Sequence, residues 1–290
     1  MDDVANNNFK AKIQGYCALF LIKVDVAELL RSRAPGLSRW LPRFIVRGLE
    51  RFICQEQINE VLTATAGLRD AEFCDATLKC LGVSYTAEGL DRLPPPQSRR
   101  VTFVCNHPLG GLDGICLIHF LHSIYGPGAR FIVNDLLMAL KPLHGSFVPI
   151  NKHGSQSRMA ASAVDAAFAS DDPVFVFPAG LCSRKGPGGI IRDLRWNKMF
   201  VNKSAENGRT VIPLRFHGEN SKFFYNFAKI RAKSGLKFNI EMLCLPRELF
   251  LARGKQFRIS ILDPIGPELL TPGSKAAACA DKIREKVYSK

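Results

Sequence analysis

From about residue 83 onward the chain alternates short runs of β-branched and aromatic residues with amphipathic stretches, and this alternation limits the fold more than any other feature. The runs at 101–105, 130–133, 173–178, 211–216 and 258–262 read as strands. Between them, 112–125, 155–169, 196–206, 222–233 and 275–288 carry helical periodicity. Strands alternating with helices predict an α/β domain over residues 83–290, with a mixed, mostly parallel sheet flanked by helices. No repeat or long linker interrupts the pattern, and the three prolines at 94–96, followed by Gln-Ser-Arg-Arg, read as a stiff surface connection.

Residues 1–82 show helical periodicity with almost no strand signal, and predict a separate helical prefix. Within it, Ser38 is placed to cap a helix whose first turn tolerates Pro42. Leu37, Leu41, Phe44, Ile45, Gly48 and Phe52 fall on one face of that helix, and Arg39, Arg43, Arg47 and Arg51 on the other. With Arg31 and Arg33, six arginines stand against one acid, Glu50, and Trp40 lies at the helix start. This is the pattern of a helix lying in a membrane interface, although a surface helix packed on a sheet would also satisfy it. A second basic and aromatic stretch at 222–233 points the same way.

Charge supports an anionic partner. In 290 residues, 40 Lys and Arg against 26 Asp and Glu leave a formal net charge of +14, which attracts phosphates of nucleic acid, anionic lipid or a phosphorylated carrier. No RNA- or DNA-binding motif accompanies it, so nucleic acid is not expected as a partner. Hydrophobic residues at 47% describe a globular chain, yet no window is long and apolar enough to span a bilayer. Nine cysteines without a CxxC pair, behind an acidic Met1-Asp-Asp start, predict reduced thiols in the cytoplasm.

The stretch Val104-Cys-Asn-His-Pro-Leu-Gly-Gly-Leu-Asp-Gly-Ile-Cys116 is the most informative. A strand delivers Asn106-His107 into a glycine-rich turn, and a helix begins near Leu112-Asp113. A carboxylate at Asp113 can accept from one imidazole nitrogen of His107 and fix its tautomer, leaving the other nitrogen to take a proton from an attacking hydroxyl or amine. Gly110 and Gly111 allow close backbone approach and bring main-chain N–H groups toward a developing oxyanion. The plainer alternative is that Asp113 caps the helix and His107 is a satisfied turn residue.

Four blocks extend this signal. Asn106-His107 with Asp113, Gly145-Ser-Phe-Val-Pro-Ile-Asn-Lys152, Phe177-Pro-Ala-Gly180 and Val211-Ile-Pro-Leu214 follow the order and spacing of the four motifs of the glycerolipid acyltransferases, the lysophosphatidic acid acyltransferase-like family. The wording of the first block resembles a bacterial, hemolysin-like acyltransferase subgroup. The resemblance covers roughly residues 100 to 216. It implies transfer of a fatty acyl group from acyl-carrier protein or coenzyme A to a lipid hydroxyl, with His107 as general base paired to Asp113. It implies no metal or other cofactor, a peripheral position on the inner face of the cell membrane, and an anionic membrane surface and a lyso-lipid acceptor as partners. Asn106, Gly110, Gly111, Lys152, Phe177, Pro178 and Gly180 are then candidate substrate-binding residues.

Two departures stand beside the matches. The family spaces its histidine and aspartate five positions apart, whereas His107 and Asp113 are six apart, so the dyad requires the turn to bulge. The third block commonly reads Phe-Pro-Glu-Gly-Thr-Arg-Ser; here Ala179, Leu181 and Cys182 replace its glutamate, threonine and arginine. Arg184 and Lys185 are candidates to return the lost cation from a shifted position. The altered block fits a lyso amino-acid lipid acceptor, with a carboxylate in place of phosphate, and lysophosphatidate is the other candidate. A noncatalytic lipid-binding protein that kept the fold is the alternative from another class.

The remaining features are weaker. The segment from Gly186 to Phe200, with Arg192, Asp193, Arg195, Trp196 and Lys198, is expected to wall the same cleft, with an Arg192–Asp193 surface pair as its plainer reading. His119 and His122 lack further ligands for a zinc site, and Cys105 reads as a buried thiol rather than a nucleophile. No nucleotide-binding fingerprint is present.

Overall fold

The computed structural model describes residues 24–33, 39–150, 156–235 and 239–289. The chain divides into two compact units, Met1–Leu68 and Arg69–Lys290.

The first unit is helical. Helices α1 (Val26–Arg33), α2 (Arg43–Phe52) and α3 (Gln55–Ala64) follow one another, and the Asn59 side-chain amide pairs with both main-chain groups of Val24, at 2.8 and 3.0 Å. Ser38, the predicted cap, lies outside the described residues; α2 instead starts behind Pro42, whose φ of −58° is already suited to a helix entry. No residue of α2 is buried within the chain. Trp40 and Phe44 are 86% and 73% exposed, and Arg39, Arg43, Arg47 and Arg51 are exposed as well.

The second unit opens with α4 (Asp70–Leu81), which ends at Gly82 in the left-handed region. The helical stretch therefore stops where the sequence indicates, but α4 belongs to the second unit because its buried face, including Phe73, Leu78 and Leu81, packs along α5 (Leu112–Tyr125). A seven-stranded sheet follows, built from β1 (Ser84–Glu88), β2 (Val101–Cys105), β3 (Arg130–Asn134), β4 (Phe147–Ile150), β5 (Val174–Val176), β8 (Thr210–His217) and β9 (Gln256–Ile261). Its order is β1-β9-β8-β2-β5-β3-β4; β8 and β9 run antiparallel and all other neighbours parallel. This is the mixed, mostly parallel α/β sheet that the alternation predicts. Every residue of β2 and β5 is buried, which explains their uninterrupted apolar runs.

The strands missing from the sequence reading are the two edges. β1 alternates exposed and half-buried residues and carries a terminal Glu, whereas β4 contains Pro149, which a sheet tolerates at an edge. Two residues on each side, β6 (Arg184–Lys185) and β7 (Ile191–Arg192), form a small antiparallel hairpin. Helices α6 (Gln156–Ala169), α7 (Met199–Glu206), α8 (Lys222–Lys233), α9 (Leu245–Leu251) and α10 (Ala276–Tyr288) complete the unit. At the amino edge of the central strands, the buried Arg209 guanidinium donates to the carbonyls of Val101, Phe168, Ser170 and Asp172, closing several strand ends at once.

Leaving β2, the chain crosses over β5 to β3, and later inserts β5 and β8 on the two sides of β2. The strand order thus reverses around β2. In open α/β sheets the crevice at such a reversal, beyond the carboxyl ends of the strands, is where ligands bind. His107 is two residues past the end of β2, and Phe177 one residue past the end of β5.

Candidate active site

The dyad forms. His107 Nδ1 lies 2.9 Å from Asp113 Oδ2, and the Asp113 side chain is wholly buried at the first turn of α5. The bulge required by the longer spacing is made at Gly110, whose φ of +77° belongs to the left-handed region. The turn closes around the carboxylate: Leu109 and Gly110 N–H donate to Oδ2, and Gly111 and Gly114 N–H to Oδ1, at 2.9 to 3.3 Å. This arrangement redirects one sequence expectation. The amides of Gly110 and Gly111 face the Asp113 carboxylate and not an oxyanion, because a buried carboxylate draws the nearest donors.

These contacts fix protonation states. Burial alone would raise the Asp113 pKa, but the charge and hydrogen bond of His107, with the Leu109 and Gly114 amides, hold it below the usual carboxylate value. Burial alone would lower the His107 pKa, but the Asp113 charge and hydrogen bond, with the charge of Asp193, outweigh it and raise the imidazole above its ordinary value. An ionised Asp113 only accepts, so Nδ1 carries the proton and Nε2 is the basic nitrogen. The His107 side chain retains 15% exposure, and Phe177 stacks on one face of its ring with centroids 3.8 Å apart. Phe177 begins a tight turn: Gly180 N–H donates to the Phe177 carbonyl at 3.0 Å, with Gly180 at φ +67°, and Asn197 N–H holds the Pro178 carbonyl at 2.9 Å. Phe177, Pro178 and Gly180 therefore build one wall beside the imidazole.

Asn106 is engaged within the fold. Its side-chain oxygen accepts from Phe216 N–H at 2.7 Å and its amide donates to the Phe216 carbonyl at 2.9 Å, so it continues the β2–β8 pairing by one side chain. Both ends of the amide are engaged and the residue is buried. The fourth block has a similar role, since Val211-Ile-Pro-Leu214 is the part of β8 that pairs in register with β2.

Arg184 lies close enough to His107 for its charge to oppose protonation of the imidazole. Its Nη1 donates to the Cys182 carbonyl at 2.6 Å and its Nη2 to Glu241 Oε1 at 2.8 Å. Arg231 donates to both oxygens of the same buried carboxylate. Burial would raise the Glu241 pKa, but the Arg231 hydrogen bonds and both guanidinium charges keep it low. Two guanidiniums on one carboxylate leave this three-residue network with one net positive charge. Lys185, by contrast, is exposed on the hairpin and makes no ion pair among the described residues. Lys152 lies outside the described residues.

Asp193 is the residue beside the dyad that the sequence undervalued. It does not pair with Arg192, which instead reaches Glu285 at 2.8 Å; it is buried against the main chain of His107. Its flanking arginines disguise it as a surface acid, and only the apolar Trp196 three residues on hints at burial. Glu241 carried no signal, being far from every motif. His119, His122 and Cys105 take structural roles. His119 Nδ1 meets the Tyr85 hydroxyl at 2.7 Å, and His122 Nε2 meets Ser146 Oγ at 3.2 Å. Burial, and then the Asp113 charge, push the Cys105 thiol well above its ordinary pKa. Among the described residues no group of three or more His, Cys, Asp or Glu is arranged to hold a metal ion.

The acyltransferase family model matches residues 28–289. Lyso-glycine lipid O-acyltransferase from Phocaeicola vulgatus is 41% identical over 271 residues, covering 93% of this chain and 95% of that protein. The lyso-glycine lipid O-acyltransferase of Bacteroides thetaiotaomicron is 40% identical over 271 residues, covering 93% and 98%. The crystal structure of the 1-acyl-sn-glycerophosphate (LPA) acyltransferase PlsC from Thermotoga maritima aligns with a TM-score of 0.47 at 13% identity, over 100% of this chain and 99% of that one.

Proposed function

The chain belongs to the acyltransferase family and is an O-acyltransferase, and on that premise we propose that it acylates the hydroxyl of a lyso amino-acid lipid, with His107 as general base. The observation that carries this reading is the buried dyad: an imidazole with its tautomer fixed by Asp113 at 2.9 Å, at the carboxyl end of the central strand. The donor is a thioester of acyl-carrier protein or coenzyme A. His107 Nε2 takes the proton of the acceptor hydroxyl as its oxygen attacks the thioester carbonyl carbon. The C–O bond forms, the C–S bond breaks, and the proton passes from His107 to the departing thiolate, giving an ester and a thiol without an acyl-enzyme. General-base assistance of this kind is worth about 10²- to 10⁴-fold.

The acceptor class rests on two features. The third block lacks its glutamate and arginine, while Arg184, Glu241 and Arg231 together hold one net positive charge near His107. A carboxylate-headed lipid, such as the lyso-glycine lipid for which the two relatives are named, suits a single fixed cation. The exposed Trp40 and Phe44, with Arg39, Arg43, Arg47 and Arg51 around them, support peripheral attachment to the anionic inner face of the cell membrane.

The test is lipid mass spectrometry of a host expressing the wild-type chain or His107→Ala, supplied with lyso-glycine lipid in one arm and lysophosphatidate in another. A diacyl glycine lipid formed only by the wild type is the expected result, and assays with acyl-carrier protein and coenzyme A thioesters then assign the donor. A diacyl phosphatidate product alone would replace the acceptor. Identical lipid profiles from both proteins, with liposome binding intact, would leave a noncatalytic lipid-binding protein.

A further inference from the structure

We propose that Asp193 is a positioning residue for the general base, a second buried carboxylate that fixes the main chain of His107 and adds a negative charge to the surroundings of the dyad. The proposal rests on His107 acting as the base.

Both oxygens of Asp193 accept the His107 N–H, at 3.1 and 3.2 Å. The Ser183 hydroxyl donates to Oδ1 at 2.6 Å and Trp196 Nε1–H to Oδ2 at 2.9 Å. Ser183 in turn donates its own N–H to the His107 carbonyl at 2.8 Å. Thus both polar main-chain atoms of His107 are held, one by Asp193 and one by Ser183, and those two side chains are tied to each other. The ring engages both main-chain hydrogen-bonding groups of His107.

The main chain of Asp193 is itself anchored. Its N–H donates to the Tyr288 hydroxyl at 2.8 Å, and its carbonyl accepts from Arg284. The Tyr288 ring faces the guanidinium of Arg192 at 4.4 Å, with those of Arg284 and Arg215 at 5.8 and 6.0 Å. The last turn of α10 therefore braces the residue that braces the base.

The chemistry of Asp193 is hard to explain by packing alone. It is only 3% exposed, and no ion pair reaches it among the described residues. Burying a carboxylate without a cation is costly, and a fold that needed only an acceptor at this point would be served by a neutral one. The carboxylate accepts from three donors at once, the His107 N–H, the Trp196 Nε1–H and the Ser183 hydroxyl. Its charge also adds to that of Asp113 in raising the His107 pKa.

The test compares wild type, Asp193→Asn and His107→Ala in acyl transfer to lyso-glycine lipid across pH. Asp193→Asn is expected to lower kcat about 10- to 10²-fold, the scale of a displaced catalytic group, while the KM values for both substrates stay within about twofold. It is also expected to move the acidic limb of the profile to lower pH, because removing the charge lets His107 deprotonate earlier. Damage to the fold alone would reduce activity equally at every pH and leave the limb where it is. A wild-type limb and kcat in Asp193→Asn, with His107→Ala inactive, would overturn the positioning role while leaving the base in place. Activity in His107→Ala would overturn the base itself, and the role of Asp193 with it. If thermal melting finds Asp193→Asn unfolded, Ser183→Ala decides: it deletes the bond that aims Oδ1 at the His107 amide, so a severalfold fall in kcat at unchanged KM supports the proposal and a wild-type kcat refutes it.

Discussion

Gly110 and Gly111 are neighbours in the same turn, yet the structure assigns them opposite tolerances. A Cβ on Gly110 would stand 2.9 and 3.0 Å from the two Leu245 methyls and 3.1 Å from Cys182 Cβ, on a residue at φ +77°. Holding an L-residue in the left-handed region costs about 1–2 kcal/mol. Forcing a methyl into a packed site costs about 1–3 kcal/mol more. Gly110→Ala should therefore lose roughly 2–5 kcal/mol, a large share of the ~5–15 kcal/mol typical of a folded domain. The turn also carries the amides that hold Asp113, so a shift there misaligns the dyad and should lower kcat about tenfold or more. A methyl added at Gly111 would meet no heavy atom within 4 Å, and its φ of −173° lies outside the left-handed region. Gly111→Ala should stay within about 1 kcal/mol of wild type. Urea unfolding followed by circular dichroism, run beside the acyl-transfer assay, reads both quantities. Equal stability for the two variants, or Gly110→Ala within about 1 kcal/mol of wild type, would refute the steric reasoning.

Two more outcomes follow from charge. Because Asp113 and Asp193 raise the His107 pKa, the acidic limb of kcat/KM should lie above the ordinary histidine value of about 6.5. The stability that His107 contributes is complete below its unfolded pKa and fades as pH rises through the raised folded value. That of Asp113 is complete above its unfolded pKa and fades as pH falls through the lowered one, so denaturation should find the dyad's contribution greatest between about pH 4 and 6.5. At the first unit, replacing Arg39, Arg43 and Arg47 with Glu should reduce sedimentation with anionic vesicles by on the order of 10²-fold, at roughly 1 kcal/mol for each arginine removed. Binding to zwitterionic vesicles should change little, and an unchanged anionic affinity would dismiss α2 as the contact.

What the sequence disclosed follows from the range of the forces involved. Buried strands such as β2 and β5 write their environment into continuous apolar runs, and α5 and α8 begin and end where local periodicity places them. Edge strands receive less burial and left no comparable trace in β1 or β4. The dyad was legible because turn and helix bring His107 and Asp113 together within six positions. The supports of the site were not, because each is a long-range contact: Asp193 meets a backbone atom of residue 107, and Tyr288 meets a backbone atom of residue 193. Asn106 misled for a related reason. An amide beside a catalytic histidine reads as a substrate contact, but its partner is a strand whose position only the fold reveals.

The two departures from the family pattern belong to one packing solution. The added residue of the turn brings the Gly110 backbone against Cys182, so close that even one methyl at Gly110 would press on its Cβ at 3.1 Å. Cys182 is fully buried there, with Met242 on another side, and burial pushes its thiol up to about 11. A compact, uncharged side chain fits that space; a guanidinium starting from the same Cβ would have to displace the turn that holds Asp113. The cation therefore arrives from Arg184, two residues on, whose Nη1 lies 3.0 Å from the Cys182 sulfur. Such a placement needs an anchor, since an arginine approaching from outside the block would otherwise be free to leave it. Glu241 supplies that anchor, and Arg231 restores the net charge that Glu241 would cancel. Losing an arginine at one position thus requires a glycine in the turn, a small residue under it, and a three-residue charge network reaching to residue 241. On this view the altered third block relocates its cation and leaves the base untouched, so the change should bear on which head group is accepted before it bears on whether acyl transfer occurs.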